Sequence, residues 1–496
     1  MPTLATLTLA ALLALAASTS AAAAEAGAVR VRTFTAEKPL YRAQQVATLV
    51  AVVENAGPAD LEVAPKMTAP EGVRIGKTVA EPAKLPKGGQ VRWTWEVEAD
   101  RAVHADFALE VRSGDNVVAK AALAMEFLPA IEPVRSSYIP EPQPVKTSLL
   151  IGAHHCPLWE AEKPEMWDNI LKHPERVPAL GFYDQKSPEV SDWETKWAVE
   201  HGVSFFIYCW YRTSQGGPVQ TMFSSAIHDG LQKSRFRKQM KYTIMWENQS
   251  RGKAGVADEK DLMENLLPYW MEHYFQDPSY LVVDNRPVLF IYRPEFLVQD
   301  LGGAEKVAAA LEKMRQACKA KGFDGLTILG EYRGLDPNHL RLMKGLGLDY
   351  TFAYVWYVGG SPTPAEAIRS QMDQIRKTQA FGILPQVVTV SQAWSGWKDE
   401  GPIWKIPPRE YETLLVKAKE FVATLPKDQL GGRMLLLDNW NEWGEGHYIA
   451  PYREYGFGYL DAVRKVFSDA AGPHVDLIPD DIGLGPYDAA FKARRP

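Results

Sequence analysis

From Lys146 onward one pattern repeats eight times: a short, almost unbroken apolar run, a polar loop, then a helical stretch. The runs are Ser148–Ala153, Ser204–Trp210, Tyr242–Trp246, Pro287–Tyr292, Leu326–Tyr332, Tyr350–Trp356, Ile383–Val390 and Met434–Trp440. Strands that are apolar on both faces belong in a parallel sheet covered on both sides. Between them, Glu189–His201, Asp258–Tyr274, Gly303–Lys321, Thr363–Thr378, Arg409–Thr424 and Arg453–Phe467 carry the clearest helical spacing. Eight such units predict an α/β fold, a (β/α)8 TIM-type barrel over residues 146–470. An open doubly wound sheet is the alternative. It usually has fewer strands and, when it holds a nucleotide, a Gly-rich first turn, which does not occur here.

The preceding segment has a different period. Over residues 27–128 short alternating strands such as Val91-Arg92-Trp93-Thr94-Trp95 are separated by turn clusters such as Pro86-Lys87-Gly88-Gly89. That spacing predicts a small all-β, Ig-like sandwich acting as an accessory domain. Trp93 and Trp95 share one strand face, as core or as a sugar-binding surface. Residues 129–145 hold five prolines and read as an extended linker. Residues 471–496, rich in Gly and Pro, read as a tail wrapped on the surface.

Leu4 to Ala17 is apolar and is followed by small residues through Ala24. This predicts a signal peptide over residues 1–24 and a periplasmic or secreted protein, although no Lys or Arg precedes Arg30. No other run reaches the ~18 apolar residues of a membrane span, so none is expected after cleavage. A net charge of −6 without a basic run leaves no footprint for nucleic acid. Three cysteines cannot make a disulfide scaffold. Cys156 and Cys209, near the ends of neighbouring predicted strands, are expected as buried free thiols.

In a barrel the active site lies at the C-terminal strand ends. Here those ends carry His154, His155 and Cys156; Trp210 and Tyr211; Trp246, Glu247 and Asn248; Tyr292; Glu331; Tyr354 and Trp356; and, after the eighth, Asp438 through His447. Nine of the fifteen tryptophans (159, 210, 246, 356, 394, 397, 404, 440 and 443) lie at these ends or in the following loops. Aromatic faces suit the C–H faces of sugars, and carboxylates suit their hydroxyls. The expected substrate-binding set is His154, His155, Trp210, Tyr211, Trp246, Glu247, Asn248, Tyr292, Glu331, Trp356, Asn441, Trp443 and His447. Tryptophans that merely cap the barrel core are the competing reading.

Glu442 and Glu445 are the expected catalytic pair. If their turn is helical, side chains three apart lie about 60° apart on one face. Two close carboxyls force their pKa values apart and keep one proton near neutrality. Cleaving a glycosidic bond needs such a pair, one acid and one base or nucleophile. Gly444 and Gly446 allow a tight turn.

Asn439-Trp440-Asn441-Glu442-Trp443-Gly444-Glu445-Gly446 resembles the N-E-W-x-E-G signature of glycoside hydrolase family 99 and its WbsX-like relatives. Ile151 to Pro157 is similar to that family's opening strand, with His154, His155 and Cys156 where aromatics are usual. Tyr183-Asp184 with Ser187-Pro188-Glu189-Val190, Trp246-Glu247-Asn248, Arg286 to Tyr292 and Tyr455 to Leu460 also fit. The resemblance runs from about residue 147 to 468. It implies a barrel that cleaves α-linked sugars with retention and no metal. In that family the first Glu, here Glu442, acts as base on the sugar 2-hydroxyl, whose oxygen attacks. The second, here Glu445, is the general acid/base.

No cofactor is expected. His154 and His155 are adjacent and point to opposite faces of a strand, so they offer no metal-ligand spacing. Two other functions stay open. A WbsX-like glycosyltransferase would need a nucleotide-sugar site, and the sequence has no D-x-D. A non-catalytic carbohydrate-binding barrel would not need the paired glutamates.

Overall fold

The structure is a computed structural model that describes residues 28–249, 254–396, 404–470 and 474–488. The expected signal peptide and Trp397 lie outside the described residues.

Eight parallel strands form the centre: β1 (Leu150–His155), β2 (Phe205–Arg212), β3 (Lys241–Trp246), β4 (Arg286–Ile291), β5 (Thr327–Glu331), β6 (Tyr350–Phe352), β7 (Val388–Val390) and β8 (Met434–Leu437). Each pairs with its neighbour from β1 to β6, β8 pairs with β1, and β7 with β8. The remaining gap, between β6 and β7, is spanned by a single parallel bridge, Thr351 to Gln386. There Thr351 N donates to Pro385 O at 2.9 Å and Val387 N donates to Thr351 O at 2.8 Å. The result is a nearly closed (β/α)8 barrel. Strands β6 and β8 are shorter than their apolar runs because the chain leaves the ladder after Phe352 and Leu437 to build the upper rim, and β7 because its run joins the ladder only at Val388.

Alternation along each strand separates two cores. Phe205, Ile207, Met245, Phe290, Leu329, Phe352 and Leu436 fill the barrel interior. Ile151, Phe206, Tyr208, Ile244, Leu289 and Leu435 face the helices. Gly152 shows how tightly the interior is filled: a Cβ there would lie 2.2 Å from the Phe205 ring. The helices include α1 (Pro188–Glu200), α2 (Ala304–Ala320), α3 (Pro337–Gly345), α4 (Pro364–Ala380), α5 (Pro408–Ala423) and α6 (Gly458–Phe467). The helix expected over Asp258–Tyr274 forms with two widened turns, Leu262–Leu266 and Met271–Phe275. Between them lies Pro268, which has no N–H for the ladder.

The N-terminal strands form two sheets, one of four strands and one of five. Trp93 and Trp95 lie between them, 1% and 4% exposed. Trp93 Nε1 donates to Glu81 O, and Trp95 packs edge-on to Phe34. They are core, and the sugar-binding alternative for this face is corrected.

The sandwich is locked to the barrel. The buried Arg453 guanidinium donates to Thr35 Oγ1 at 2.7 Å, Ala36 O at 3.0 Å and Lys38 O at 2.9 Å. Arg42 and Asp481 form a buried ion pair at 2.5 Å. The proline segment is also fastened, through Tyr138 to Asp192 at 2.6 Å and Gln143 N to Glu200 at 2.9 Å. Among the described residues no helix is long and apolar enough to cross a membrane.

Candidate active site above the barrel

The segment after β8 is a hairpin, which corrects the helical turn expected from the sequence. Asn441–Glu442 pairs antiparallel with His447–Tyr448, so Glu442 stands opposite His447. Gly446 has φ +74° and a Cβ there would lie 2.6 Å from Ser395 Oγ, so the turn requires glycine. Asn441 bolts the hairpin to β1: its Oδ1 accepts from Cys156 N at 2.7 Å, and its Nδ2 donates to Tyr183 Oη at 3.2 Å.

The two carboxyls sit in different surroundings. Glu442 is 4% exposed and accepts from Tyr354 Oη at 2.7 Å. Burial, and then the charge of Glu445, push its pKa up to about 7. Glu445 accepts from Trp394 Nε1 at 3.1 Å and lies 3.3 Å from His447 Nε2. Burial acts to raise its pKa, but the hydrogen bond and charge of His447, with Trp394 and Arg333, outweigh burial and hold it below the usual range. His447 is itself held by Asp438 at 2.8 Å. Burial would lower its pKa, but Asp438 and Glu445 raise it to about 10. Below about pH 7 the resting pair therefore holds one proton, which rests on Glu442. A cleft of about 200 Å³ opens beside Glu442, lined by Leu158, Trp159, Glu165, Met166, Asn169 and Gly444 among others.

Several expected residues converge around this pair. His154 points into the barrel beneath it, packed against Phe352 and Tyr354 at ring distances of 5.5 and 5.1 Å. Burial depresses its pKa to about 3, against a raising contact with the Leu437 backbone, so the ring is neutral. Tyr211 and Tyr292 also face inward, and Tyr292 stacks edge-on to Tyr354 at 5.6 Å. Glu331 is ion-paired to Arg293 at 3.0 Å and Arg333 at 2.9 Å. Glu247, half-buried, is pushed by burial up to about 7.

Others are directed elsewhere. Trp210 Nε1 donates to Tyr274 Oη and Trp246 Nε1 to Ala254 O, and both rings pack on Trp270 in the helical shell. Trp356 Nε1 donates to Thr389 O, and Trp443 Nε1 to Tyr183 Oη. All four tryptophans are at most 2% exposed, so the expectation that they offer faces to a sugar is corrected. His155 faces outward and lies 3.2 Å from Glu194. Asn248 uses both ends of its amide on the Arg293 backbone, each at 2.8 Å. Asn441 is a strut, as described above. Tyr354 and Trp394 are the hydrogen-bond partners of the carboxyls that the candidate set omitted. Their signal was their place at the rim after β6 and β7. Cys156, Cys209 and Cys318 are free and buried. Burial, and then the Glu442 charge, push the Cys156 and Cys209 thiols well up.

The profile of a family described as "Glycosyltransferase WbsX" matches residues 171–355 and 397–463, half of the chain. The chain belongs to the WbsX family. That places it among carbohydrate-active proteins. A curated relative, the "Uncharacterized protein WxcX" of Xanthomonas campestris pv. campestris (strain B100), is 24% identical over 335 residues. The match covers 60% of this chain and 44% of the relative, so the chain spans less than half the length of the curated relatives it matches. Among solved structures, a β-glucuronidase from Ruminococcus gnavus in complex with D-glucuronic acid aligns at 11% identity and TM-score 0.33, over 88% of this chain and 68% of that one. A Bacteroides uniformis β-glucuronidase aligns at 11% identity and TM-score 0.31, over 82% and 45%. Likenesses that faint carry no argument about this chain.

Proposed function

We propose that this WbsX-family chain is an exported glycoside hydrolase that cleaves α-linked bonds in an oligo- or polysaccharide with retention, using Glu442 and Glu445. The observation that carries the reading is a carboxyl pair in which Glu442, buried and lining an open cleft, is pushed up to about 7, and Glu445, half-buried, is held down by His447. A glycosidase needs one proton to give and one place to put another. A carboxyl near 7 suits a general base working near neutrality.

The steps follow from the resemblance. Glu442 takes the proton of the sugar 2-hydroxyl. The freed oxygen bonds to the anomeric carbon as the bond to the leaving oxygen breaks. Glu445 gives that oxygen its proton. Water then opens the three-membered ring, with Glu445 taking a proton from it and Glu442 returning one to the 2-oxygen. The resting proton lies on Glu442, so substrate binding must move it to Glu445. His447, charged and held by Asp438, favours the ionised form of Glu445 and so opposes that shift until substrate is bound.

The family's description favours a second reading, in which the acceptor is a sugar hydroxyl and the donor a nucleotide sugar. One experiment separates them. The protein is incubated with a panel of α-linked and sulfated polysaccharides, and separately with nucleotide sugars and oligosaccharide acceptors, with products resolved by chromatography. Release of shorter sugars that depends on Glu445 supports the hydrolase. Transfer from nucleotide sugars without cleavage of any polysaccharide overturns it. Export is tested by finding the mature protein outside the cytoplasm.

A further inference from the structure

At the end of the barrel opposite Glu442, side chains from the end of α1 and from the C-terminal tail converge. His201 follows α1 and its ring is fully buried. Its Nδ1 lies 2.6 Å from Trp197 O, so that nitrogen carries a proton and Nε2 is left to face the carboxylates. Nε2 faces Asp476 Oδ1 at 3.3 Å and Asp461 Oδ1 at 3.6 Å. From the tail, His474 Nε2 lies 3.3 Å from the same Asp476 oxygen and 3.4 Å from Glu200 Oε2. The two imidazoles stand 5.2 Å apart at 82°.

None of His201 Nε2, His474 Nε2 and Asp476 Oδ1 makes a hydrogen bond among the described residues, although all three are buried and close together. Protonated imidazoles sharing a carboxylate would aim their N–H bonds at its oxygens. Here the donor directions miss, and the three atoms lie within 4.8 Å of one another. Tetrahedral ligands about 2.0–2.2 Å from a zinc ion stand roughly 3.3–3.5 Å apart, close to the 3.3 Å from each imidazole to Asp476. A backbone carbonyl fixing the far nitrogen is also the usual support for a ligating histidine. Two imidazoles and one carboxylate suit zinc over calcium or magnesium, which prefer oxygen alone.

We propose that His201, His474 and Asp476 bind a structural Zn²⁺ ion, with water in the fourth position. The ion fastens the tail to the base of the barrel. The same tail stretch gives Asp476 O to Arg42 Nη2 at 2.6 Å and Asp481 to the Arg42 guanidinium. One metal therefore secures barrel, tail and sandwich at a single junction, and it takes no part in sugar chemistry. The inference does not depend on the hydrolase reading.

The test uses the full chain, stripped with a chelator, reloaded with Zn²⁺ and desalted. About one zinc per chain is expected by elemental analysis, with a melting temperature several degrees above the stripped protein. His474→Ala and Asp476→Asn should retain no zinc and melt at one temperature with or without it. Cobalt loading of the native sequence is the second readout and needs no variant: a tetrahedral site gives an intense visible absorption, which zinc abolishes. The proposal fails if the native protein retains no zinc and its melting is unmoved. It also fails if the folded variants hold as much zinc as the native chain, or if cobalt shows only the weak spectrum of the hydrated ion.

Discussion

Two sets of large side chains end the same eight strands, and they do opposite work. Tyr211, Glu247, Tyr292, Glu331 and Tyr354 stand an even number of residues from the interior positions Ile207, Met245, Phe290, Leu329 and Phe352. They continue the interior column upward and surround the carboxyl pair. Trp210 and Trp246 stand an odd number away and are turned into the helical shell, where Tyr274, Ala254 and Trp270 cover them. His154 and His155 divide the same way. Rim composition therefore says little until strand parity is applied, because successive side chains point to opposite faces. A tryptophan one position out of phase packs the barrel against its helices.

The comparison can be broken by substitution. The largest effect is expected at the pair. Glu445→Gln should slow cleavage of an unactivated substrate by about 10²–10⁴-fold, the usual worth of a general acid, with an unchanged melting profile. A substrate with an activated aryl leaving group should be spared in its first step. Glu442→Gln should slow both, because it removes the base. Full activity in both variants would move the site elsewhere, with Glu247 and Glu331 next. The outward set should respond in the reverse manner. Trp246→Ala should lower unfolding free energy by about 3–5 kcal/mol, the cost of emptying a core indole site, while kcat of the folded fraction stays near the original. A large fall in kcat with unchanged denaturant stability would return Trp246 to the cleft.

The fold was legible because strands buried on both faces leave near-continuous apolar runs, and eight such runs are hard to accommodate otherwise. Their ends were less legible. Tyr350–Trp356 reads as one run, but only Tyr350–Phe352 stays in the ladder. The pair Glu442 and Glu445 was visible in its motif, whereas its geometry was not: a short hairpin and a helical turn both bring residues three apart close together. Trp210 and Trp246 were placed by composition without parity, and Trp356, an even step from Phe352, lies beyond the end of the ladder, where parity no longer holds. Tyr354, the donor to Glu442, was visible as a strand end but did not stand out among so many aromatics. His201 and His474 were beyond reach, since 273 positions separate them and only the fold brings the tail beneath α1.

The smallest effect tests the inward set most sharply. Tyr354 donates to Glu442 at 2.7 Å and so favours its ionised form. Tyr354→Phe removes that donor and little volume, and a lost hydrogen bond to a charged group is worth about 1.5–3 kcal/mol. Turnover should fall about ten- to a hundredfold. The pH profile carries the sign. The active pair holds one proton, and that proton is lost as pH rises through about 7. This gives kcat/KM an alkaline limb there, whichever carboxyl carries the proton at the moment of reaction. Without the tyrosine hydroxyl the ionised form of Glu442 is less favoured, its pKa rises, and the limb should move to higher pH. The acid limb, set by the member held down by His447, should stay below the usual carboxylate range. A loss of that size with an unmoved alkaline limb would mean that the group titrating near 7 is not Glu442, and Glu247, pushed by burial to the same range, would be the one to mutate next.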